Sequence, residues 1–310
     1  MNPAAFILSG VVPIVPTPFS ADEQIDLAAL EGLIEFAAGA RVAAVCLPAF
    51  ASEFYKLSDA ERETVVCTAI RAAAGRLAVV AQANHPAAVV AARVARRYQE
   101  LGAGAISFAL PRIFGLPEPD LLSYAQTICR AVDLPVLVQD FNPGGPTVGA
   151  DFARRLAEAC PNFRYLKLEE PLMGAKVRGI IEGTGGRVGV LEGWGGMYML
   201  DLIPAGICGL MPGLGVCDVL ARVWELARSG RRHAAQEVFQ CVLPQIVYSL
   251  QHSEVFNWVE KRLLVARGVL PAHAAHVRRA TYTPDESILA HADELNAGVL
   301  RLAARLAAGG

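Results

Sequence analysis

The stretch Phe163-Arg164-Tyr165-Leu166-Lys167-Leu168-Glu169-Glu170 is a short apolar run that carries one lysine near its end and then turns acidic. A buried strand of a parallel sheet reads as a continuous apolar run, so in a strand of that kind Lys167 is the exception. An ammonium taken out of water must find a partner or give up its proton, and a neutral amine is a nucleophile toward carbonyls. Lys167 therefore has two readings: the wet end of a strand, or a nucleophile held at the mouth of a fold. The rest of the chain decides between them.

Working outward from that strand, short β-rich apolar runs at 11–16, 42–47, 77–82, 105–109, 135–139, 165–168, 188–192 and 206–210 alternate with amphipathic patterns such as 28–38, 59–74, 86–100 and 120–131. Ser58 with Glu61 three residues on has the form of a capping box, and Gly102 and Gly230 fit helix stops. Eight strand–helix units in about 230 residues is the size of a (β/α)8 barrel, and right-handed crossovers make closure natural. A doubly wound open sheet is the alternative. It would place a glycine-rich phosphate-binding turn after the first strand, where this chain has Thr17-Pro18-Phe19-Ser20. The prediction is an α/β fold, a (β/α)8 TIM barrel over 1–230 with a C-terminal helical appendage over 231–310. Helical patterns at 231–250, 254–268 and 288–308 make up the appendage, expected to pack on the barrel or on a partner subunit. The Gly-Gly pairs at 144–145, 185–186 and 195–196 fall in loops, with no second globular domain expected.

Composition narrows the function. The chain has 310 residues, 54% of them hydrophobic and 19% charged, enough to bury a large core. Its net charge of −2 comes from interspersed signs, so neither nucleic acid nor an acidic membrane surface is an expected partner. The opening Met1-Asn2-Pro3-Ala4-Ala5-Phe6 lacks the pattern of a signal peptide and no apolar run reaches spanning length, so a cytoplasmic location is expected. Seven cysteines without a CxxC pair read as reduced core thiols, and five of the six histidines fall in the C-terminal part away from metal-site spacing. No metal and no cofactor is expected.

Chemistry in a barrel sits at the C-terminal ends of the strands. Those positions hold Thr17, the stretch from Pro48 to Glu53, Pro111-Arg112, Gln139-Asp140-Phe141, Lys167, Gly193-Trp194-Gly195-Gly196, and Leu210 followed by Met211-Pro212-Gly213. Most are not ionisable, which argues against paired-carboxylate hydrolysis and against a divalent-metal site. A lone lysine in a mostly neutral mouth suits Schiff-base chemistry.

At these residues the chain resembles the dihydrodipicolinate synthase and N-acetylneuraminate lyase family of Schiff-base class I aldolases. Gly10 followed by Thr17-Pro18-Phe19 is similar to the family's opening, and Leu57-Ser58 with Glu61-Arg62 to its exit from the strand-two loop. Lys167 stands where the family keeps its imine-forming lysine, and Trp258, Lys261 and Gly268 resemble its C-terminal helical segment. The resemblance covers nearly the whole length. It implies a TIM barrel, a small 2-keto acid such as pyruvate as substrate, and a homo-oligomer, either a dimer or a tetramer.

The departures are as informative. Where the family has Gly-Thr-Thr-Gly-Glu after strand two, this chain reads Ala49-Phe50-Ala51-Ser52-Glu53. Its proton-shuttling tyrosine after strand five is Gln139, and an amide neither gives nor takes a proton near neutral pH. The synthase branch's carboxylate-binding arginine gives way to Gly144-Gly145-Pro146, and its second relay tyrosine, which reaches across the dimer interface, to Ile113. A true dihydrodipicolinate synthase is therefore not expected.

Imine formation survives these losses if backbone N–H groups of Phe50 and Ala51 hold the keto acid's carboxylate. Proton transfer then needs a new group: Glu53, Tyr55, Asp140, Glu169, Glu170 or a water held by Gln139, with Glu53 read first as a structural carboxylate satisfying loop amides and Glu169 and Glu170 read first as rim ion-pair partners. The expected catalytic set is Lys167, Asp140 and Gln139. Substrate binding is expected from Phe50, Ala51, Arg112, Gly193, Trp194 and Leu210, with Arg112 at the rim for a distal carboxylate. The expected activity is that of a lyase or aldolase, a hydro-lyase among its forms, acting on pyruvate or a related 2-keto acid through a Schiff base on Lys167. The alternative is a barrel that binds a keto acid or a protein partner without turnover.

Overall fold

The computed structural model describes residues 7–40, 42–142, 145–279 and 282–308. The opening segment 1–6, Pro143 and Gly144 lie outside the described residues. Eight short strands alternate with helices. They are β1 (Gly10–Val11), β2 (Ala44–Leu47), β3 (Ala78–Gln82), β4 (Ala105–Ala109), β5 (Val136–Asp140), β6 (Phe163–Leu168), β7 (Gly189–Glu192) and β8 (Gly209–Leu210). All seven neighbouring pairs are parallel, in the order β1-β8-β7-β6-β5-β4-β3-β2. The remaining edge closes just beyond β1, where Ile14 bridges Cys46 and the N–H of Cys46 donates to Pro13 O at 2.9 Å. The fold is a TIM barrel, and the open-sheet alternative is excluded by that closure.

The first and last strands are shorter than their apolar runs suggested. Residues 12–16 and 206–208 belong to those runs, but regular pairing is confined to Gly10–Val11 and Gly209–Leu210. Periodicity reports burial, and residues 12–16 and Ile207 are buried whether or not they join the ladder.

The helices of the barrel are α1 (Leu27–Gly39), α2 (Asp59–Ala73), α3 (Ala88–Glu100), α4 (Glu118–Cys129), α5 (Ala150–Ala159), α6 (Gly174–Gly183), α7 (Met199–Leu202) and α8 (Cys217–Arg228). Ser58 and Glu61 form the reciprocal capping box at the start of α2. Gly102 after α3 and Gly230 after α8 adopt φ of 95° and 79°, the left-handed conformation that glycine tolerates.

Each strand alternates between two cores. Along β6, Leu166 and Leu168 pack outward with helix residues such as Phe152 and Val177, whereas Tyr165 joins Ala44, Val80, Ala105, Leu137 and Leu191 inside the barrel. Lys167, two residues beyond Tyr165, shares its inward face.

Three more helices follow: α9 (Arg232–Ser249), α10 (Ser253–Ala266) and α11 (Glu286–Ala308). They pack on the barrel, where Phe239, Val242, Leu263 and Val299 share one core with α1 and α8. The turn between α9 and α10 lies over the barrel mouth. No helix among the described residues is long and apolar enough to cross a membrane.

Candidate active site

A cavity of about 380 Å3 opens at the C-terminal ends of the strands. Lys167, Gln139 and Glu169 provide its polar floor, and Phe50, Phe141 and Trp194 its aromatic walls. Met211, Pro212 and Gly213 close one side, while Leu250, Gln251, His252, Ser253 and Phe256 roof it. Phe50 and Phe141 meet at 5.9 Å between centroids, and Phe50 also packs edge-on to Phe54 at 5.0 Å.

Lys167 is 6% exposed, and its Nζ stands 3.1 Å from Oε1 of Glu169. β-strand alternation explains the pairing: residues two apart project to the same side, so the carboxylate just past the strand end folds over the lysine. The same Oε1 accepts a hydrogen bond from Gln139 Nε2 at 2.5 Å, and Gln139 Oε1 accepts from Gln82 Nε2 at 2.5 Å. A chain of two amides thus orients the carboxylate, with the donor end of Gln139 fixed toward Glu169. Gly193 makes room for the pair, since a Cβ there would stand 2.5 Å from Glu169 Cγ and 2.7 Å from Lys167 Cε. Beneath the lysine, burial pushes the Cys46 thiol up to about 12, so it stays protonated and inert.

The strand-two loop is pinned from two sides. Thr17 Oγ1 donates to Ser52 O at 2.7 Å, and Ser52 Oγ donates to Val15 O at 2.6 Å. Glu53, fully buried with φ of 59°, binds Lys261 Nζ at 2.6 Å and Lys56 Nζ at 2.8 Å. Lys56 reaches on to Glu254 at 2.7 Å, and Tyr55 donates its hydroxyl to the same carboxylate. Burial lowers Lys261 to about 8 against the pull of Glu53. The loop that faces the lysine and the helix that roofs the cavity are therefore one clamped unit. Phe50 and Ala51 open a one-turn 3-10 helix, where the first N–H groups have no partner within the turn.

Two further buried carboxylates hold the opposite wall. Glu192 at the end of β7 accepts from Gly196 N–H at 2.6 Å, shaping the loop that carries Trp194, and its Oε1 has no partner among the described residues. Glu260 of α10 accepts from Gly215 N–H at 2.6 Å beside Gly213 of the cavity wall. Burial raises both to about 7.

The model of the Dihydrodipicolinate synthetase family matches residues 7–263. The chain belongs to that family. It is 30% identical over 301 residues to an L-2-keto-3-deoxyarabonate dehydratase of Azospirillum brasilense, covering 95% of this chain and 96% of the relative. A probable 5-dehydro-4-deoxyglucarate dehydratase of Bradyrhizobium sp. (strain BTAi1) is 29% identical over 160 residues, 52% of this chain and 50% of the relative. Among solved structures, a dihydrodipicolinate synthase from Rhodopseudomonas palustris superposes with a TM-score of 0.87 at 25% identity, covering 96% of this chain and 99% of that one. The family's members with these names are lyases, and this chain is a lyase of the family.

Within this family member, the residues expected at the site divide in two. Lys167, Gln139, Phe50, Ala51, Gly193 and Trp194 line the cavity. Asp140, Arg112 and Leu210 do not line it. One residue past Gln139, Asp140 points to the outer face, where Arg112 Nε and Nη2 grip it at 2.8 and 2.6 Å and Val148 N–H donates at 2.7 Å. Arg112 is thereby committed to a buried carboxylate. Leu210 faces the outer core beneath Gly196. Glu170 bonds Lys176 and Thr147 as a rim carboxylate, and Glu53 proves an ion-pair hub.

Sequence reasoning missed the roof residues and the wall carboxylates Glu192 and Glu260. A glutamate ending an apolar strand, as in 188–192, was the available signal for the first. The roof had none, because contact between a C-terminal helix and a barrel mouth leaves no local pattern.

Proposed function

We propose that this protein is a dehydratase that removes water from a 2-keto-3-deoxy sugar acid through an imine on Lys167. The observation that carries the proposal is the Glu169 carboxylate at 3.1 Å from Lys167 Nζ, held by Gln139 where the family resemblance leaves the shuttle tyrosine missing.

The amine of Lys167 adds to the C2 carbonyl, and loss of water gives the imine. The Phe50 and Ala51 N–H groups bind the C1 carboxylate and set the carbonyl within reach. The iminium draws electrons from C3, so Glu169 takes a C3 proton and an enamine forms. The enamine electron pair then expels the C4 hydroxyl, which leaves as water with the proton from Glu169. Hydrolysis of the imine consumes the water released when it formed and frees Lys167. The net change is the loss of one water. One carboxylate serving first as base and then as acid suits a cavity floor where the group beside it is the Gln139 amide, which carries no proton near neutral pH. The full-length similarity to a keto-deoxy sugar acid dehydratase supports the same reaction class.

Incubation with pyruvate and borohydride tests the reading. One reduced pyruvyl group per chain is expected, mapped to Lys167 and abolished by Lys167→Ala. Glu169→Gln should still trap the adduct while slowing exchange of the pyruvate methyl protons in heavy water by about 100-fold or more, the usual range for a general base. A folded protein in which Lys167 stays unmodified by pyruvate and by larger 2-keto acids would sink the proposal. An adduct without proton exchange would instead leave a keto-acid binder that does not turn over.

A further inference from the structure

The two dehydratase relatives differ in what their names say of the substrate: an arabonate carries one carboxylate, a glucarate two. The charge distribution around the cavity distinguishes these classes. Among the described residues that line it, Lys167 is the one lysine or arginine, and Glu169 already offsets its charge at 3.1 Å. The cations that ring the mouth are committed elsewhere. Arg112 is paired with Asp140 at 2.6 Å, Lys56 with Glu53 and Glu254 at 2.8 and 2.7 Å, and Lys176 with Glu170 at 2.5 Å. A carboxylate entering the outer half of the cavity would meet aromatic walls and, among the described lining residues there, no lysine or arginine.

What that outer half does offer is hydrogen bonding. Gln251 and His252 lie in the turn that roofs the cavity, and Ser253 beside them opens α10. His252 Nδ1 accepts from Glu254 N–H at 3.1 Å, which caps α10 and leaves the ring proton on Nε2 as a donor. Ser253 brings a hydroxyl and Gln251 an amide, groups that match sugar hydroxyls in both donor and acceptor roles. Phe50, Phe141, Trp194 and Phe256 exclude water around the carbon chain.

Resting on the dehydratase reading, we propose that this site selects monocarboxylate 2-keto-3-deoxy acids with an uncharged, hydroxylated tail, and discriminates against diacids. The segment 250–253 is the specificity element, since it supplies the groups that meet the tail.

Protection of Lys167 against trapping by pyruvate and borohydride reads this selectivity without requiring turnover. 2-Keto-3-deoxyarabonate is expected to protect at a concentration about 100-fold lower than 5-dehydro-4-deoxyglucarate, the scale of penalty for desolvating an unpaired carboxylate. Ser253→Arg places a cation at the roof and is expected to narrow that ratio about tenfold or more through a new charge pair. Gln251→Lys places a similar charge from the neighbouring turn position should the first variant fold poorly. Equal protection by both acids, stronger protection by the diacid, or protection by neither overturns the selectivity while the pyruvate adduct still forms. Failure of pyruvate itself to modify Lys167 overturns instead the imine reading, and this inference with it.

Discussion

Glu260 and Glu192 make the stability of this protein depend on pH between about 4.5 and 7. Burial raises each carboxyl from 4.5 to about 7. The unfolded chain releases both protons near 4.5, whereas the folded protein keeps them to about 7. Between those values the native state binds more protons than the unfolded state, so stability is fullest below 4.5 and declines as pH rises through 7. At about 1.4 kcal/mol per pH unit, a shift of that size is worth on the order of 3 kcal/mol for each carboxyl. That is a large part of the 5–15 kcal/mol typical of a folded protein.

Glu260→Gln isolates one share of the effect. The amide preserves shape and can still accept from Gly215 N–H, but it cannot ionise. Urea unfolding of both proteins, followed by tryptophan fluorescence at several values between pH 4.5 and 7.5, gives the comparison. The variant is expected to lose less stability than the wild type across this range, by about 3 kcal/mol at the upper end. Other titrating groups cancel in the difference. Parallel pH profiles for the two proteins would refute the reasoning, because they would mean that Glu260 titrates alike in the folded and unfolded states.

Three further outcomes follow from contacts at the site. Gly193→Ala would push a Cβ to 2.5 Å from Glu169 Cγ and 2.7 Å from Lys167 Cε, so pyruvate adduct formation should slow about 100-fold with unchanged circular dichroism, as expected for displaced reacting groups. Arg112→Ala leaves Asp140 buried and unpaired, which should lower the unfolding free energy by about 3 kcal/mol in urea. The same variant should keep its adduct yield, and loss of the adduct at normal stability would put Arg112 back in the site. Gln139→Leu removes the hydrogen bond that orients Glu169. Imine trapping should persist while methyl-proton exchange slows about tenfold or more, the worth of a hydrogen bond to a charged acceptor. An exchange rate equal to wild type would mean that Glu169 needs no support.

The barrel was legible because its signal is repeated: eight apolar runs alternate with amphipathic ones, and each run reports its own burial without reference to the others. Lys167 was legible for the same local reason, as a charge interrupting a run that should have none. The strand-two loop and the Gly193-Trp194 turn could be placed because they follow strands directly.

The partners of these residues were not legible. In a strand, adjacent residues face opposite sides, so Gln139 enters the cavity while Asp140 pairs outside with Arg112; composition at strand ends does not say which side each takes. Glu169 was readable as a rim carboxylate until the fold laid it across Lys167. The clamp joining Glu53 to Lys261 spans 208 positions, and the roof at 250–256 comes from a helical region whose own pattern speaks only of helices. The sequence alone determined the architecture and singled out Lys167 as a charge in an apolar strand, since both are written in short-range periodicity. Only the tertiary structure decided that Glu169 faces Lys167, that Arg112 pairs with Asp140 outside the cavity and that residues 250–253 roof it, because such partners are assigned to one another by proximity in space.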